Sequence, residues 1–322
     1  MEKEVLLEVK NLRKYFPIKN FFGIKVGDLK AVDDVSFVIY KGETFGLVGE
    51  SGCGKSTLGR SILQMLKTDS GSVIYKEKDI ANLPLRRWKE LRAKLQIIFQ
   101  DPYSSLNPNW TVKELIQEPL KTAGLSQSEC DERVKELLKL VNMNEDDMNK
   151  FSYEFSGGQR QRIGVARAVA NYPEFIFCDE PISALDVSVQ AQVVNMLKDL
   201  QQEMGLTYLF TAHDLSMVHH ISDRIGVMYL GSMVELGESQ EVFQNPIHPY
   251  TKALISAIPI ADPELGRKSN RIPIEGELPS PMNAPKGCRF CTRCPHATEQ
   301  CRKERPELRE ISEGHWAACH ML

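Results

Sequence analysis

The sequence predicts an α/β fold with a largely parallel sheet. Short apolar runs that can form buried strands alternate with segments of helical periodicity, as in sheets whose parallel strands are joined by helices. One such strand, Thr44–Val48, is followed by a glycine-rich loop and a predicted helix over residues 58–66. Of the 322 residues, 42% are hydrophobic and 26% are charged, as is ordinary for a globular protein. The length allows one large domain with an appendage, or two domains.

Short apolar runs and helical periodicity also predict the other strands and helices along the chain. Strands are predicted at residues 6–10, 35–39, 72–75, 95–99, 175–180 and 206–211. Helices are predicted at residues 85–93, 112–122, 129–141, 187–204 and 251–257, and a further helix opens at residues 155–159 and runs to 170. Between the first two strands, and over residues 101–108, we expect irregular chain. From Pro259 to Pro285 the many prolines predict an extended connector.

Charge and hydropathy limit the possible partners and location. A net charge of −3 and a pI near 6.2 give no support to nucleic acid as a main partner. No run approaches the ~18 apolar residues of a membrane span, and the charged residues 1–5 lack an apolar signal core. We therefore expect a cytoplasmic protein that could still dock on a partner embedded in the membrane.

The glycine-rich loop matches G-x-x-x-x-G-K-[ST], the pattern that wraps nucleotide phosphates. Its members are Gly49, Glu50, Ser51, Gly52, Cys53, Gly54, Lys55, Ser56 and Thr57, named here the phosphate loop. The glycines let successive N–H groups point inward, and the following helix N-terminus adds partial positive charge. Lys55 would reach the β- and γ-phosphates, and the Ser56 hydroxyl would ligate Mg²⁺. An ordinary glycine-rich turn is the alternative, but the flanking strand and helix favour the nucleotide interpretation.

Polar residues that follow predicted strands supply the other parts of a phosphoryl-transfer site. Asp179 and Glu180 end an apolar strand, where Asp179 suits Mg²⁺ binding and Glu180 could polarise an attacking water. A solvated pair of acids is the alternative. Gln100 and His213 each follow a strand and could reach the metal or water and the γ-phosphate, respectively. Such residues are common after strands, so each signal is weak by itself.

Two further stretches bear on nucleotide binding. Ser156, Gly157, Gly158 and Gln159 open a helix, where free N–H groups can meet an anion. Residues 183–185 and Asp186 lead into the helix over 187–204. Upstream, Phe16 is either a core residue or an aromatic ring that stacks on adenine, with Tyr15 as its substitute.

In chain order, these motifs resemble the complete motif series of ABC-type ATPases. The resemblance covers residues 5 to about 245 and implies a P-loop NTPase of ABC type, with a RecA-like core, an antiparallel β subdomain and a helical subdomain near residues 101–170. It places the ATPase domain at residues 1–245 and a small Cys-rich C-terminal extension at residues 246–322. The family's signature loop is usually Leu-Ser-Gly-Gly-Gln, so Phe155 departs at the first position. Because that position does not contact phosphate, we expect activity to be retained.

This family resemblance implies that two such domains sandwich two ATP molecules head to tail. Ser156 and Gly158 of one subunit would cap the ATP held by the phosphate loop of the other. The N-terminus of the helix that follows residue 156 calls for an anion, and the other subunit's γ-phosphate would provide one.

Three features resemble the ATPase subunits of bacterial oligopeptide and dipeptide importers, specifically the second of two paralogous subunits. They are residues 100–108, the stretch from His248-Pro249-Tyr250 to Leu254, and the terminal cysteines. This resemblance implies ATP hydrolysis coupled to peptide import at the cytoplasmic face of the membrane. The implied partners are two transmembrane permease subunits, a paralogous ATPase subunit in a heterodimer and, indirectly, an extracytoplasmic peptide-binding protein. Residues 100–108 would face a coupling helix of a permease subunit, the alternative being a loop with no partner.

Three other functions stay open at this point. The transported solute could be nickel or another small solute, because specificity in this family resides in other subunits. A soluble ABC ATPase acting on nucleic acid is a second alternative, which the single motif set and the acidic pI disfavour. The third is an iron- or redox-sensing subunit whose own site barely turns over ATP.

Five of the eight cysteines lie within the last 35 residues, a clustering that favours a metal over disulfides in a cytosolic protein. The resemblance implies a [4Fe–4S] cluster held by Cys288, Cys294, Cys301 and Cys319, with Cys291 as a spare or substitute ligand. Thiolates suit zinc equally well. Zinc therefore remains the alternative, bound with help from His296, His315 or His320.

Overall fold

The computed structural model describes residues 3–81, 83–259, 271–277 and 279–322. Its strands are β1 (Val5–Lys19), β2 (Lys25–Tyr40), β3 (Thr44–Val48), β4 (Ser70–Tyr75), β5 (Lys78–Asp79), β6 (Leu95–Ile98), β7 (Phe175–Asp179), β8 (Thr207–Thr211), β9 (Arg224–Tyr229), β10 (Ser232–Glu238), β11 (Arg309–Ser312) and β12 (His315–Ala317). Its helices are α1 (Lys55–Ile62), α2 (Leu85–Lys94), α3 (Pro102–Ser105), α4 (Val112–Ala123), α5 (Gln127–Leu140), α6 (Gly157–Val169), α7 (Val187–Met204), α8 (Leu215–Ile221), α9 (Ser239–Gln244), α10 (Pro249–Ser256) and α11 (Glu299–Lys303).

The chain forms two compact units. The first contains the described residues of 1–4, 40–43 and 82–211, and the second contains those of 5–39, 44–81 and 212–322. Each unit combines segments that are distant in sequence, because long-range strand pairing brings them together.

Three parallel strands form the centre of the first unit. β7 pairs with β6 on one side and with β8 on the other, with Phe175 opposite both Leu95 and Thr207. Every residue of β7 and β8 is buried, as expected for strands with both faces covered. Helices α4 and α5 each begin at a capping box, Thr111 with Glu114 and Ser126 with Glu129. These caps fix where the helices start.

The second unit contains both parallel and antiparallel pairing. β3 runs parallel to β9, and β10 continues antiparallel to β9. The terminal strands β12 and β11 add to the free edge of β10, so the C-terminal extension is joined to this sheet by backbone hydrogen bonds. A separate antiparallel sheet has the strand order β2-β1-β4-β5.

Two expectations of irregular chain were wrong. β1 continues to Lys19 and β2 begins at Lys25, so the first two strands form a long hairpin closed at Asn20, whose side chain accepts N–H bonds from Phe22 and Ile24. Sequence reasoning failed here because the distal residues of this hairpin are mostly exposed and show no buried face. Residues 102–105 form the one-turn helix α3, which Asp101 caps by accepting the Tyr103 N–H.

The other predicted strands and helices are present, with ends that shift by up to four residues. Part of the predicted Pro-rich connector, including Pro263, lies outside the described residues. Across the ranges that the structure describes, no helix is both long and apolar enough to cross a membrane.

Candidate active site

The phosphate loop lies between a buried strand and a helix N-terminus. All five residues of β3 are buried, and α1 begins at Lys55 directly after Gly54. A Cβ on Gly54, whose φ is 108°, would lie 2.0 Å from the Ala31 carbonyl oxygen, and a Cβ on Gly49 would lie 2.2 Å from that of Met228. Only glycine fits at these two positions. The loop backbone is thereby pressed against its neighbours with the α1 N-terminus open to an anion.

Lys55 spans the loop from within. Its side chain is buried, and its Nζ donates to the carbonyl oxygens of Gly49 at 2.7 Å and Glu50 at 3.3 Å. The ammonium charge is therefore held at the centre of the loop, where phosphate oxygens would meet it. Burial raises the pKa of the neighbouring Cys53 thiol, which stays neutral and packs under the loop.

In the first unit, the ends of β6, β7 and β8 converge on Glu180. The Glu180 N–H donates to the Thr211 hydroxyl at 2.9 Å, and Gln100 Nε2 donates to Glu180 Oε2 at 2.7 Å. Glu180 adopts a φ of 48°, a left-handed conformation that costs roughly 1 kcal/mol or more for a non-glycine residue. Asp179, one residue earlier, is fully buried at the end of β7. Two of the predicted site residues, Gln100 and Glu180, are thus in direct contact.

The turn after Glu180 is closed by its own backbone. The Ser183 hydroxyl donates to the Glu180 carbonyl at 3.1 Å, and Asp186 follows at the N-cap position of α7. Its carboxylate makes no capping hydrogen bond and is exposed. Asp186 is therefore available to a ligand or partner rather than committed to the helix.

The signature loop opens α6 as predicted. Ser156 is the N-cap and forms a capping box with Gln159, whose N–H donates to the Ser156 hydroxyl at 3.4 Å. Gly158 lies so close to Val189 that a Cβ would be 2.4 Å from that side chain. Phe155 is 6% exposed, so the residue that departs from the usual signature packs inward.

In the second unit, His213 is exposed just ahead of α8, which Asp214 caps. Tyr15 and Phe16, the two aromatic residues that could stack on adenine, differ in their contacts. Tyr15 donates its hydroxyl to Asp33, and burial together with this hydrogen bond raises its pKa to about 12. The Phe16 side chain is 36% exposed and contacts the Lys14 ammonium, so its ring is the more accessible one.

Sequence reasoning missed two residues that contact the phosphate loop. Tyr250, in α10, accepts the Glu50 N–H at 2.9 Å, and Arg293 donates to the Glu50 carboxylate at 2.9 Å. In the sequence, the His248-Pro249-Tyr250 motif carries only a family resemblance. Nothing in its sequence signalled a contact with a loop 200 residues away.

The five C-terminal cysteines are free thiols that lie near enough to one another to influence each other's ionisation. Burial, together with the nearby thiols of Cys291, Cys301 and Cys319, raises the pKa of Cys288 to about 12. Within the described ranges, no group of three or more His, Cys, Asp or Glu side chains is arranged to hold a metal ion. Of the histidines considered for zinc, His315 bonds to Glu235 and His320 to the Glu304 carbonyl; His296 is exposed.

A strand–phosphate loop–helix unit, strand-end carboxylates and a glycine-rich signature helix together define an ATP-binding cassette. Sequence profiles agree, since that of the ABC transporter family matches residues 32–183 and that of the oligopeptide/dipeptide transporter C-terminal region matches residues 234–301. The chain belongs to the ABC transporter family, as an ATPase with an oligopeptide/dipeptide transporter C-terminal region.

Curated relatives match over nearly the whole chain. The oligopeptide transport ATP-binding protein AppF of Bacillus subtilis is 51% identical over 99% of this chain and 98% of its own length. The putative oligopeptide transport ATP-binding protein YkfD of the same organism is 55% identical over 100% of this chain and 97% of its own. OppF of Escherichia coli, also an oligopeptide transport ATP-binding protein, is 51% identical over 98% of this chain and 96% of its own length.

Solved structures of two ABC cassettes match the fold. The ATP-binding cassette MJ0796, a dimer bound to ADP and Pi, is 28% identical with a TM-score of 0.65 over 73% of this chain and 99% of its own. Clostridium perfringens cbiO1, part of an ABC transporter complex, is 27% identical with a TM-score of 0.66 over 76% and 92%. These matches confirm the predicted ABC-type fold.

Proposed function

We propose that this ATPase energises the import of oligopeptides or dipeptides through separate transmembrane subunits at the cytoplasmic face of the membrane. The observation that carries the proposal is the full-length similarity to oligopeptide transport ATP-binding proteins, which includes the C-terminal region. The family implies permease partners and paired ATPase domains. The finer parts of the proposal are the pairing with a paralogous ATPase subunit in a heterodimer and the indirect action of an extracytoplasmic peptide-binding protein.

The site residues have the following proposed roles. The phosphate loop holds the ATP phosphates, with Lys55 at the β- and γ-phosphates. Ser56, Gln100 and Asp179 hold Mg²⁺, which supplies charge neutralisation at the phosphates. Glu180 takes the proton of the attacking water, and its contact with Gln100 supports a fixed orientation of the carboxylate. His213 contacts the γ-phosphate, and Phe16 stacks on adenine.

The signature residues act on a second copy of the site. Ser156 and Gly158 would cap ATP held by another subunit, and the exposed Asp186 lies on the same partner-facing side of the motif series. Two ATPase domains in a head-to-tail pair would then be needed for each hydrolysis event. Dimer formation of the MJ0796 cassette is consistent with this arrangement.

The loop at residues 100–108 is proposed to meet a permease subunit. Its helix α3 is fixed by Arg167, which donates to the Ser105 carbonyl at 2.7 Å, and by the Arg160 guanidinium 4.0 Å from the Tyr103 ring centroid. Tyr103 nevertheless keeps 58% of its surface exposed. A braced loop that presents an exposed aromatic residue suits contact with another protein.

We also propose that the ATPase domain comprises residues 1–245 and the C-terminal extension residues 246–322. A [4Fe–4S] cluster on Cys288, Cys294, Cys301 and Cys319 remains a proposal, supported by the soft donor chemistry of neighbouring thiols. Because the described side chains are not arranged as a metal site, these thiols would have to reorient to hold it. It would stabilise the extension. An absorption spectrum of anaerobically purified protein separates iron from zinc, since only iron–sulfur clusters absorb in the visible range.

One experiment tests the proposed function. The tagged full chain is captured from detergent-solubilised membranes of its native cells, and co-purifying subunits are identified while ATPase activity and peptide uptake are measured. We expect permease subunits and a paralogous ATPase, with activity and uptake lost in Lys55→Ala and reduced roughly 10²- to 10⁴-fold in Glu180→Gln. Glu203→Gln, an exposed acid on α7, is the matched control. Permeases that transport nickel instead, or full activity in Glu180→Gln, would contradict the respective part of the proposal.

A further inference from the structure

The C-terminal extension holds the carboxylate of a phosphate-loop residue. Arg293 Nη1 donates to both oxygens of Glu50, at 2.9 and 3.2 Å. The side chain of Arg293 is 10% exposed and that of Glu50 is 26% exposed. Because this pair is largely removed from water, each charge depends on the other more than in a surface ion pair.

The extension also holds the backbone of the same residue. The Glu50 N–H donates to the Tyr250 hydroxyl at 2.9 Å, while the Glu50 carbonyl accepts from Lys55 Nζ at 3.3 Å. The N–H of Glu50 is thus directed toward α10 and its carbonyl toward Lys55. Phosphate loops bind phosphate oxygens through backbone N–H groups that point inward, so the orientation of each peptide group matters. These two contacts fix the orientation of the peptide groups on either side of Glu50.

Both anchors are themselves fixed by packing. Tyr250 is fully buried, and its ring lies 4.7 Å from that of Tyr229 and 5.4 Å from that of Phe290. Phe290 belongs to the same cysteine-rich turn as Arg293, whose N–H donates to the Phe290 carbonyl at 3.0 Å. The aromatic cluster therefore joins α10, β9 and the cysteine-rich turn in one rigid support beneath Glu50.

The start of α10 is positioned by a buried carboxylate. Glu235 accepts the N–H groups of Ile247 and His248, both at 2.8 Å, and the His248 ring accepts the Tyr250 N–H at 3.1 Å. Each residue of the His248-Pro249-Tyr250 motif thus has a structural role at the start of α10. His248 caps the helix, Pro249 starts it, and Tyr250 is brought to the phosphate loop.

We propose that Tyr250 and Arg293 are positioning residues for the phosphate loop, through which the C-terminal extension sets the affinity of the site for ATP. This inference rests on the proposed nucleotide site. Neither residue would touch the nucleotide, since both act through Glu50. Loss of either contact would leave the Glu50 peptide free to turn, so that a phosphate would have to order it on binding.

The test is the equilibrium binding of a fluorescent ATP analogue to the full chain, with thermal unfolding of each variant measured in parallel. Tyr250→Phe removes only the hydroxyl acceptor, and Arg293→Met removes the charge while keeping the length of the side chain. We expect each to raise the Kd by about fivefold, the size of one net hydrogen bond. Arg293→Lys should restore most of the affinity, because a cation still reaches Glu50.

Matched controls separate this role from general stability. Tyr208→Phe removes a buried tyrosine hydroxyl that donates to the Leu197 carbonyl in the first unit, and Lys303→Met removes an exposed cation of the extension. Both should bind the analogue with wild-type Kd. Glu50→Gln combined with Arg293→Met should raise the Kd no further than Arg293→Met alone, because both substitutions break one contact.

The outcomes separate the two proposals. Loss of binding in Lys55→Ala, together with wild-type Kd in folded Tyr250→Phe and Arg293→Met, would overturn the positioning role and leave the ATP site intact. Wild-type binding in Lys55→Ala would overturn the ATP site itself. If Arg293→Met does not fold, Arg293→Lys and Glu50→Gln decide the matter: an unchanged Kd in Glu50→Gln counts against positioning, and a raised Kd supports it.

Discussion

Gln100 donates a 2.7 Å hydrogen bond from its side-chain amide to the Glu180 carboxylate. The two residues are 80 positions apart and meet because β6 and β7 are parallel neighbours whose carboxyl ends lie at the same edge of the sheet. Glu180 is also held through its N–H by Thr211, at the end of β8. The proposed base is therefore oriented from both neighbouring strands.

Replacing Gln100 should slow hydrolysis more than it weakens binding. We expect Gln100→Ala to lower kcat by roughly 10- to 150-fold, because a hydrogen bond to a carboxylate contributes about 1.5–3 kcal/mol. Steady-state kinetics of the assembled transporter measure this, with KM for ATP changing less than kcat. Gln96→Ala, on the same strand, is the control and should retain wild-type kcat. A Gln100→Ala enzyme with unchanged kcat would show that the contact does not orient the base.

Ser156 has a structural and a proposed functional role that can be separated. Ser156→Ala should destabilise the protein by about 1 kcal/mol, through loss of the α6 N-cap. Ser156→Asp keeps a good cap, so stability should be retained, but its charge would repel the partner's γ-phosphate and prevent ATP-dependent pairing. Chemical denaturation and size-exclusion chromatography with ATP measure the two effects. Ser126→Asp, the corresponding cap of α5, should change neither; pairing by Ser156→Asp would refute the capping role.

Substitutions of the two candidate adenine-stacking residues of β1, Tyr15 and Phe16, should affect different properties. Phe16→Ala is expected to raise the KM for ATP by about fivefold or more, since one base–aromatic stacking contact contributes about 1–3 kcal/mol. Tyr15→Phe should leave the KM unchanged but lower stability by about 1 kcal/mol, because it removes a hydrogen bond to buried Asp33. ATP titrations and thermal unfolding of both variants decide. A raised KM in Tyr15→Phe alone would assign adenine stacking to Tyr15.

The local geometry of the candidate site's motifs could be predicted from sequence because neighbouring residues encode it. The phosphate loop and the Ser156–Gln159 capping box each lie within ten residues, and their backbone geometry follows from glycine and cap chemistry. The strand-end positions of Gln100 and Glu180 followed from a parallel sheet, although their mutual hydrogen bond depends on the pairing register.

The remainder depends on contacts between distant segments. The Glu50 contacts with Tyr250 and Arg293 join positions 200 and 243 residues apart, and no periodicity reports such a pairing. The distal part of the β1–β2 hairpin was missed because its residues, including Phe21 and Phe22, are exposed. Strand pairing there is imposed by the partner strand, since β-propensity depends strongly on context.

His248 makes the stability of the protein dependent on pH. Burial lowers its pKa to about 4, with Glu235 offsetting part of this effect, and its Nδ1 must stay unprotonated to accept the Tyr250 N–H. Because an unfolded histidine binds a proton near pH 6.5, the unfolded state takes up protons first as the pH falls. Stability should therefore fall between about pH 6.5 and pH 4, with His248 contributing on the order of 3 kcal/mol to the loss.

The measurement is urea denaturation of wild type and His248→Asn across this pH range. Asparagine is also a good N-cap but does not titrate, so the variant should lose less stability on acidification, even if it is less stable at pH 7. His220→Asn, an exposed histidine at the end of α8, should keep the wild-type pH dependence. Equal pH slopes in wild type and His248→Asn would mean that other groups cause the acid sensitivity. If only His248→Asn shows a shallower dependence of stability on pH, the acid sensitivity arises at the start of the helix that carries Tyr250 to the phosphate loop.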